Sequence, residues 1–504
     1  MPIENPASRL SPPLLSALMR LRSLLAAGVV AGLLALALLL RPGAPLEAST
    51  AASDAAIRNT IGTILADERL PDTYWGVYVQ NLRTGEVIYS QNADKNFMPA
   101  SNLKLLTTAT ALDRLGPTYR YVTRLYFDGS TRDSTLRGDL IVRGSGDPSF
   151  GSQLSGTDPL WDWARELKAL GVARVEGRII GDDDAMDDLP YADGWDINYI
   201  ATEDWAQSAG GLTYADNLVT LNIAGARAGE AATVEPEPSG YVDVRNDLTT
   251  RGRRGYNPIR IRRTVGTNKI SLEGAVSSGY AGAARIPIQD PTAFALHAFA
   301  DRLRDAGITV EAEIVDADDL DDGVSYDDAP ILVHVSAPLA TILTAINQKS
   351  NNLYAEQVFR TFAVSGTATG GERRVFDFLA KAGIETTGLA IRDGSGLSRK
   401  NLISPETLGQ LLAYLYRSPM RDAFLATLAR GGQEETTLRY RLAGLPVRAK
   451  TGALEHVRSL SGYVAGPEDT PYVFVTFANN FTSRSSLIAI AENEIAAAIA
   501  QGGR

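Results

Sequence analysis

The two ends of this chain carry predicted elements that complement one another, and this match constrains the fold more than any other feature of the sequence. Near the N-terminus, residues 75–81 and 86–90 have the pattern typical of strands, and Arg83-Thr84-Gly85 joins them as a hairpin turn. Near the C-terminus, we predict three strands and a closing helix, at residues 447–450, 459–464, 472–477 and 486–500. The simplest arrangement pairs both sets in one antiparallel sheet with helices packed on it.

The middle of the chain differs in character from both ends. Between residues 119 and 329 the sequence combines short strand patterns with glycine-rich turns, and two helical intervals interrupt it, at residues 160–170 and 292–306. We interpret this stretch as one or two inserted β-rich modules. The predicted fold class is therefore α/β of the α+β kind: a central antiparallel sheet flanked by helices, formed by residues 53–118 and 330–504, and interrupted by the insertion.

The first 48 residues predict export. Three arginines precede an uncharged apolar run at residues 23–40, and the turn-forming Arg41-Pro42-Gly43 ends it before a series of small residues. The run lies between the usual length of the apolar core of a signal peptide and a full membrane span of about 20 residues. A cleaved signal peptide is favoured, and an uncleaved membrane anchor is the alternative. In either case the mature chain is expected in the periplasm or elsewhere in the cell envelope.

Composition argues against several classes of function. The 504 residues carry a formal net charge of −10, which disfavours a nucleic-acid partner. The chain has no cysteine, so disulfides and thiolate metal sites are excluded. Its three histidines are not spaced as a metal-binding pair, and the acidic run at residues 316–328 lacks the ligand spacing of a calcium loop. We therefore predict no metal site and no cofactor.

A serine three residues before a lysine is the first candidate for catalysis. Ser101 and Lys104 lie at the start of an apolar segment with helical periodicity, so they are predicted to project side by side from the first turn of a helix. The positive end of that helix would stabilise negative charge on the serine and favour the neutral lysine. Lys104 could then act as the base that activates Ser101. From these residues alone, an amphipathic core helix with an ordinary surface serine and lysine is the alternative.

Two further motifs supply groups that such a nucleophile needs. Ser350-x-Asn352, in a predicted loop between two helices, offers a hydroxyl that can pass a proton and an amide that can bind a substrate peptide group. Lys450-Thr451-Gly452, at the end of a predicted strand, offers a cation and a hydroxyl for a carboxylate. Its glycine lets a ligand approach the backbone. Each motif taken singly is weak evidence.

Lysine usage strengthens the case for a shared site. The chain contains 8 lysines and 41 arginines, yet the Ser-x-x-Lys and Lys-Thr-Gly motifs both use the scarcer residue. Arginine stays charged and cannot act as a base, whereas a lysine can be tuned to release its proton. A second Ser-x-Asn, Ser90-Gln91-Asn92, lies at a predicted strand end before Ser101, where no loop could bring it to such a site. We therefore predict a serine acyl-transfer centre.

With these motifs in this order, the chain resembles the penicillin-binding proteins and serine β-lactamases. The interval of 246 residues from Lys104 to Ser350 is too long for a compact β-lactamase. It is similar to that of the class C low-molecular-mass penicillin-binding proteins, the D-alanyl-D-alanine carboxypeptidase/endopeptidase type. Further similar stretches are Gly146-Asp147-Pro148, Gly194-Trp195, Asp393-Gly394-Ser395-Gly396-Leu397-Ser398-Arg399 and Leu460-Ser461-Gly462-Tyr463. The resemblance implies a β-lactamase/transpeptidase-like fold for the sheet domain.

The resemblance also implies a serine D,D-peptidase that cleaves peptidoglycan stem peptides through an acyl-enzyme and that β-lactam antibiotics inhibit covalently. Ser101 would attack the carbonyl, and Lys104 would take its proton. Lys450 would favour the neutral form of Lys104 by like-charge repulsion. Ser350 would pass the proton to the leaving amine. The backbone N–H groups of Ser101 and Ala453 would hold the oxyanion.

Two departures from the family pattern affect substrate binding. The residue after Lys-Thr-Gly is usually Ser or Thr in this family, and here it is Ala453, so one hydroxyl near the substrate carboxylate is lost. The acidic residue that family members carry shortly after Gly-Trp has an altered spacing here. Asp196 and Asp204 are both candidates for its role of holding the amino end of the peptide side chain.

Other functions stay open at the level of sequence. The same centre would serve a β-lactamase, a D-aminopeptidase or an esterase. A relative without catalysis would be a cell-wall-binding protein, although the intact set of chemical groups argues against this. The sequence does not fix the balance between carboxypeptidase and endopeptidase activity, and it leaves open whether the chain forms a homo-oligomer.

Overall fold

The structure, a computed structural model, describes residues 46–252, 255–326, 328–363 and 365–503. The predicted export segment at residues 23–40 lies outside the described residues. The chain divides into two compact units, Met1–Ala56 and Ile57–Arg504. The described part of the first unit, residues 46–56, is helical throughout, and every described strand belongs to the second unit.

The described residues form eleven α-helices. The α-helices are α1 Leu46–Leu65, α2 Lys104–Arg114, α3 Pro159–Ala169, α4 Ile197–Thr202, α5 Pro291–Asp305, α6 Leu339–Gln348, α7 Asn352–Thr361, α8 Ala368–Lys381, α9 Pro405–Arg417, α10 Arg421–Thr427 and α11 Ser485–Gln501. Within the described residues, none of these helices combines the length and the apolar character needed to cross a membrane.

The strands fall into two groups along the sequence. Those near the ends are β1 Tyr74–Asn81, β2 Val87–Gln91, β14 Ala429–Arg430, β15 Val447–Leu454, β16 Val457–Ala465 and β17 Pro471–Asn479. Those in the middle are β3 Val122–Arg132, β4 Thr135–Arg143, β5 Arg174–Asp182, β6 Leu218–Ala224, β7 Thr233–Glu237, β8 Asp243–Arg251, β9 Ile259–Arg263, β10 Lys269–Ser277, β11 Ala281–Pro287, β12 Thr309–Asp316 and β13 Leu332–Val335.

Strands from the two ends of the chain form one antiparallel sheet, in the order β14-β15-β16-β17-β1-β2. β1 pairs with β17 along its whole length, from Tyr74 opposite Asn479 to Asn81 opposite Tyr472. β15, β16 and β17 follow one another as a meander. The predicted central antiparallel sheet, built from both ends of the chain, is confirmed.

Helices cover both faces of this sheet, so the side chains of its central strand β17 are buried on both faces. Val475 and Phe477 belong to an apolar core that includes residues of α2, α6 and α9, whereas Phe474 belongs to a second core with residues of α11. Successive side chains of a strand point to opposite faces, so a strand buried on both sides must be apolar throughout. The sequence of β17, PYVFVTFAN, meets this requirement almost completely.

The middle of the chain forms three further sheets around a third apolar core. A five-stranded sheet has the order β12-β5-β4-β3-β13, and two three-stranded sheets have the orders β8-β10-β9 and β11-β6-β7. β4 pairs in parallel with β5, and β5 pairs in parallel with β12. Parallel neighbours need a crossover connection, and α3 and α5 lie in these two connections. The two helical intervals predicted in the insertion are these crossover helices.

Some element boundaries differ from the sequence-based expectation. α1 begins at Leu46, not at residue 55, and β15 continues to Leu454, so the Lys-Thr-Gly motif lies inside a strand rather than at its end. β13 pairs with β3, which carries the inserted sheet beyond the expected boundary at residue 329. α8 was not predicted, because its first turn contains Gly370 and Gly371, which are weak helix formers.

Because β17 is buried on both faces, removing a large side chain from either face should destabilise the protein strongly. Phe474 is completely buried in the core beside α11. Replacing Phe474 with Ala should lower the free energy of unfolding by about 3–5 kcal/mol, because it removes apolar contacts and leaves a cavity. The midpoint of urea unfolding, followed by tryptophan fluorescence, measures this.

Val87→Ala is the matched control for that experiment. Val87 lies on the edge strand β2 of the same sheet and is 42% exposed, so the change should stay within about 0.5 kcal/mol. Equal unfolding midpoints for the Phe474→Ala and Val87→Ala variants would contradict the assignment of β17 to a buried central position.

Candidate active site

Ser101 lies in a tight turn that leads directly into a helix. Residues Ala100–Leu103 form one 3₁₀ turn, and Lys104 is the first residue of α2. Ala100 has a φ of 47°, an unusual value for a residue with a side chain, and such values cluster at functional sites. The Nζ atom of Lys104 lies 2.9 Å from the Oγ atom of Ser101. The two side chains are therefore adjacent, although the predicted single helical turn is a 3₁₀ turn joined to an α-helix.

The Lys104 amine is completely buried and has three oxygen neighbours. Besides Ser101 Oγ, it donates to Asn352 Oδ1 at 2.6 Å and to the Ser395 carbonyl at 2.5 Å. A neutral amine has two N–H donors and one lone pair. The two acceptors use both donors, which leaves the lone pair to face the Ser101 hydroxyl, as a general base requires.

Burial is the main reason why Lys104 can be neutral. It lowers the pKa of the Lys104 amine to about 7, against the opposing effect of the Asp393 and Glu356 carboxylates. Burial also lowers the pKa of Lys450 well below its usual value, and repulsion by Lys104 lowers it further. Desolvation alone lowers the pKa of Lys104, whereas repulsion between the two lysines lowers the pKa of Lys450, the reverse of the expected direction.

Ser350 and Lys450 form a second serine–lysine pair in the same site. The Lys450 amine donates to Ser350 Oγ at 2.9 Å and to the Thr451 carbonyl at 2.7 Å. Ser350 lies between α6 and α7 with a φ of 61°, again in the left-handed region. Since that conformation is strained for a serine, the surrounding structure must hold it there. The Ser350 hydroxyl is thereby connected to a buried amine.

Asn352 is the first residue of α7, and both ends of its amide have protein partners. Its Oδ1 accepts from Lys104, and its Nδ2 donates to the Trp205 carbonyl at 2.8 Å. Asn352 therefore orients the Lys104 amine. Its expected contact with a substrate amide stays a prediction.

Gly452 allows β15 to pass directly against the turn that carries Ser101. A Cβ atom at this position would lie 2.9 Å from the Ser101 nitrogen and 3.0 Å from the Pro99 carbonyl oxygen, closer than side chains ordinarily approach. Asn102 ties the same turn to the sheet, because its Nδ2 donates to the Lys450 carbonyl at 3.1 Å and to Ser459 Oγ at 2.8 Å. Asn102 and Ser459 were not predicted as site residues.

A loop around Asp393 completes the wall behind Lys104. The Asp393 carboxylate accepts from Ser395 Oγ at 2.9 Å and from Trp195 Nε1 at 2.8 Å. It also accepts from the Gly396 backbone N–H at 2.8 Å. These bonds fix the Ser395 carbonyl that accepts from Lys104. The sequence signal was a turn-forming Asp followed by Gly and Ser, which indicates a tight loop but not its partner.

The structure brings all eight predicted residues together around one cleft of about 490 Å³. Six of them line it: Ser101, Ser350, Asn352, Thr451, Gly452 and Ala453. Lys104 and Lys450 are buried behind Ser101 and Ser350. The cleft also has six lining residues that were not predicted, Trp205, Lys349, Leu397, Thr437, Arg441 and Arg458. Leu397 belongs to the stretch at residues 393–399 that resembles the family, and Lys349 directly precedes Ser350. Trp205, Arg441 and Arg458 come from separate loops and strands that no local sequence pattern marks.

Acidic side chains also gather outside the cleft, in the inserted part. Among the described residues, carboxylate oxygens of Asp183, Asp188 and Asp318 lie within 4.8 Å of one another. Burial is the main cause that raises the pKa of Asp183 to about 7, with like-charge repulsion from neighbouring carboxylates adding to it. Partial protonation near neutral pH therefore relieves the repulsion without an ion. The absence of a metal site stays a prediction.

Comparison with known proteins identifies a family and a fold. Residues 57–500 match the D-Ala-D-Ala carboxypeptidase 3 (S13) family. A D-alanyl-D-alanine carboxypeptidase of Actinomadura sp. strain R39 is 33% identical over 462 residues, which cover 85% of this chain and 83% of that protein. The D-alanyl-D-alanine carboxypeptidase DacB of Haemophilus influenzae is 24% identical over 430 residues, which cover 82% of this chain and 88% of that protein.

Solved structures are similar over most of the chain. The crystal structure of penicillin binding protein 4 from Haemophilus influenzae matches with a TM-score of 0.73 and 22% identity, covering 88% of this chain and 99% of the other. A second structure of that protein, complexed with a β-lactam, matches with a TM-score of 0.69 at the same identity and the same two coverages. The predicted fold class is confirmed by this likeness.

The depressed pKa of Lys104 predicts how acylation of Ser101 depends on pH. Below about pH 7 the amine is protonated and cannot accept the serine proton, so the rate of acylation should fall about tenfold per pH unit. Above about pH 7 the rate should reach a plateau. Stopped-flow acylation by a chromogenic cephalosporin between pH 5 and 9 measures this profile.

Two variants test whether Lys104 is the source of that profile. Lys104→Arg should abolish acylation at every pH, because a guanidinium stays protonated. Lys95→Arg, at an exposed lysine paired with Asp94, should leave both rate and profile unchanged. A profile that is flat between pH 5 and 9 in the unmodified protein would rule out Lys104 as the base.

Proposed function

This chain belongs to the D-Ala-D-Ala carboxypeptidase 3 (S13) family, and from that premise we propose that it cleaves the bond between two D-alanines of peptidoglycan stem peptides through an acyl-enzyme on Ser101. Its class is that of a serine-type peptidase, a hydrolase. The family membership inferred from the motifs is confirmed. The observation that carries the catalytic assignment is the 2.9 Å contact between Lys104 Nζ and Ser101 Oγ, because a neutral amine at this position can turn its lone pair toward the hydroxyl.

Acylation begins with the attack of Ser101 on the carbonyl carbon. As the Oγ–C bond forms, the hydroxyl proton passes to Lys104 Nζ, which becomes a cation beside Asn352 Oδ1 and the Ser395 carbonyl. The negative charge develops on the substrate oxygen. The backbone N–H groups of Ser101 and Ala453 stabilise that oxyanion. Gly452 supports this arrangement, because without a side chain it lets β15 lie against the Ser101 turn.

The leaving amine needs a proton when the C–N bond breaks. The Ser350 hydroxyl passes to it the proton that Lys104 took from Ser101, so Lys104 returns to the neutral amine, while Lys450 holds that hydroxyl with a 2.9 Å hydrogen bond. This breakdown leaves an ester between Ser101 and the acyl D-alanine. Water then hydrolyses the ester, with Lys104 now accepting the proton of the water. Release of a terminal D-alanine is carboxypeptidase activity, and cleavage of a cross-link by the same steps is endopeptidase activity.

The free edge of β15 provides room for an extended peptide. β14 pairs with β15 only at Ala449 and Arg448, so within the described strands this edge has no strand partner from Lys450 onward. The cleft follows the same edge, since Thr451 and Ala453 line it. An unpaired strand edge can accept main-chain hydrogen bonds from a bound peptide.

We place this activity outside the cytoplasm. Peptidoglycan lies beyond the membrane, and the apolar segment at residues 23–40 is typical of an exported protein. We also propose that β-lactam antibiotics acylate Ser101 and are released slowly. Penicillin binding protein 4 of Haemophilus influenzae, which has the same fold, has been solved in complex with a β-lactam. A β-lactamase with this centre would instead release the hydrolysed antibiotic rapidly.

Labelling with a fluorescent penicillin tests the nucleophile. The unmodified protein should be labelled one to one, and Ser101→Ala should not be labelled at all, because the ester cannot form. Ser90→Ala, which changes the serine of the second Ser-x-Asn sequence on β2, should be labelled normally. Equal labelling of the Ser101→Ala variant would overturn the proposed mechanism.

Incubation with defined muropeptides tests the substrate. We expect the protein to release D-alanine from a pentapeptide and to convert cross-linked dimers to monomers, with product masses followed over time. Binding of peptidoglycan without any change in mass would contradict the proposal and support a non-catalytic binding protein.

A further inference from the structure

The carboxylate of the substrate needs a cation that Lys450 is poorly placed to provide. Lys450 is completely buried, and its amine is engaged by Ser350 Oγ and the Thr451 carbonyl. Its burial favours the neutral amine. Ala453, the residue that follows the Lys-Thr-Gly motif, has no hydroxyl that could donate to the carboxylate. The motif that suggested a carboxylate site therefore supplies less charge and fewer donors than the sequence indicated.

Two arginines lie where that charge is missing. Arg458 is the cross-strand partner of Ala453 in the β15–β16 pairing, so the two side chains share one face of the sheet. Arg441 comes from the loop between β14 and β15. Both arginines line the same cleft as Ser101 and Thr451. The Arg458 side chain is 18% exposed.

Together the two arginines carry more positive charge than their shared carboxylate neutralises. Both approach one buried carboxylate, Glu492 of α11, with N–O distances of 2.9 Å for Arg441 and 3.9 Å for Arg458. Two guanidinium groups therefore share one acidic partner. In addition, Arg441 Nη1 and Arg458 Nε are buried without a hydrogen-bond acceptor in the described structure. Glu492 Oε1 is also buried without a donor, so the ion pairs among these three side chains leave hydrogen-bonding capacity unused.

We propose that Arg441 and Arg458 form the binding site for the free carboxylate of the residue that leaves in the reaction. This inference rests on the proposed function, because it assigns a ligand group to the same cleft. Guanidinium groups suit this role, since they stay charged when buried and match a carboxylate geometrically. Glu492 then positions the two arginines and is not itself a ligand. The site selects acyl-peptides whose leaving group bears a carboxylate close to the scissile bond.

A pair of thioester substrates tests this directly. Both have the same acyl-D-alanyl part, and their leaving thiols are matched except that one bears a free carboxylate and the other its primary amide. The unmodified protein should prefer the carboxylate. Arg458→Gln and Arg441→Gln should each lower that preference, measured as the ratio of kcat/KM values, by about 10–100-fold. The kcat/KM for the amide substrate should stay nearly constant.

Control variants separate this role from a structural one. Arg430→Gln removes an exposed guanidinium from β14, away from the cleft, and should leave the ratio unchanged. Glu492→Gln keeps both arginines and should maintain or increase the preference for the carboxylate. Loss of one arginine leaves the buried negative charge of Glu492 with only one cationic partner, which could prevent folding. The Arg458→Gln/Glu492→Gln double variant removes that carboxylate charge together with the arginine and repeats the test.

The outcomes distinguish this inference from the proposed function. An equal loss of activity on both thioesters in the Arg458→Gln and Arg441→Gln variants, or an unchanged ratio in both, would overturn the carboxylate site while leaving the peptidase intact. Failure of the unmodified protein to hydrolyse either thioester, with no acylation of Ser101, would overturn the proposed function itself. A selective loss on the carboxylate substrate supports the inference.

Discussion

The contact between the buried Lys104 amine and the Ser101 hydroxyl depends on more of the molecule than any other interaction in the site. An amine stays neutral near pH 7 only when it is removed from water and its hydrogen-bonding groups are still satisfied. Here the acceptors come from α7 and from the loop around Asp393, and β15 closes the third side. Four segments far apart in sequence must therefore meet before the serine can be activated.

The central sheet makes that meeting possible. β1 pairs with β17, so the first strand of the domain lies next to the last, and β15 is brought against the turn that precedes α2. The inserted sheets occupy the middle of the chain without interrupting this arrangement. The same pairing explains why Gly452 has no side chain: any Cβ would separate the strand from the catalytic turn.

Burial of both lysines has a consequence for the whole cleft. The desolvation that makes Lys104 a base also weakens Lys450 as a permanent cation. A lysine that acts as a base must be neutral, whereas a lysine that binds an anionic substrate must be charged. Burial therefore favours the first role and weakens the second. Arginine avoids the conflict because its guanidinium remains charged when buried. Arg441 and Arg458, held beside Glu492, provide charge to a site whose lysines are tuned for proton transfer.

The sequence by itself determined the chemical groups and the local elements. Ser101, Lys104 and the two later motifs were recognisable because their spacing is local, and the strands near both ends because periodicity is local as well. Only the tertiary structure decided that Asn352 orients Lys104, that Asp393 fixes a carbonyl behind it, and that two arginines line the cleft. The parallel pairing of β4 with β5 and of β5 with β12 was likewise not predictable from the sequence. Burial and partner choice arise from contacts between distant segments, and no pattern within one segment records them.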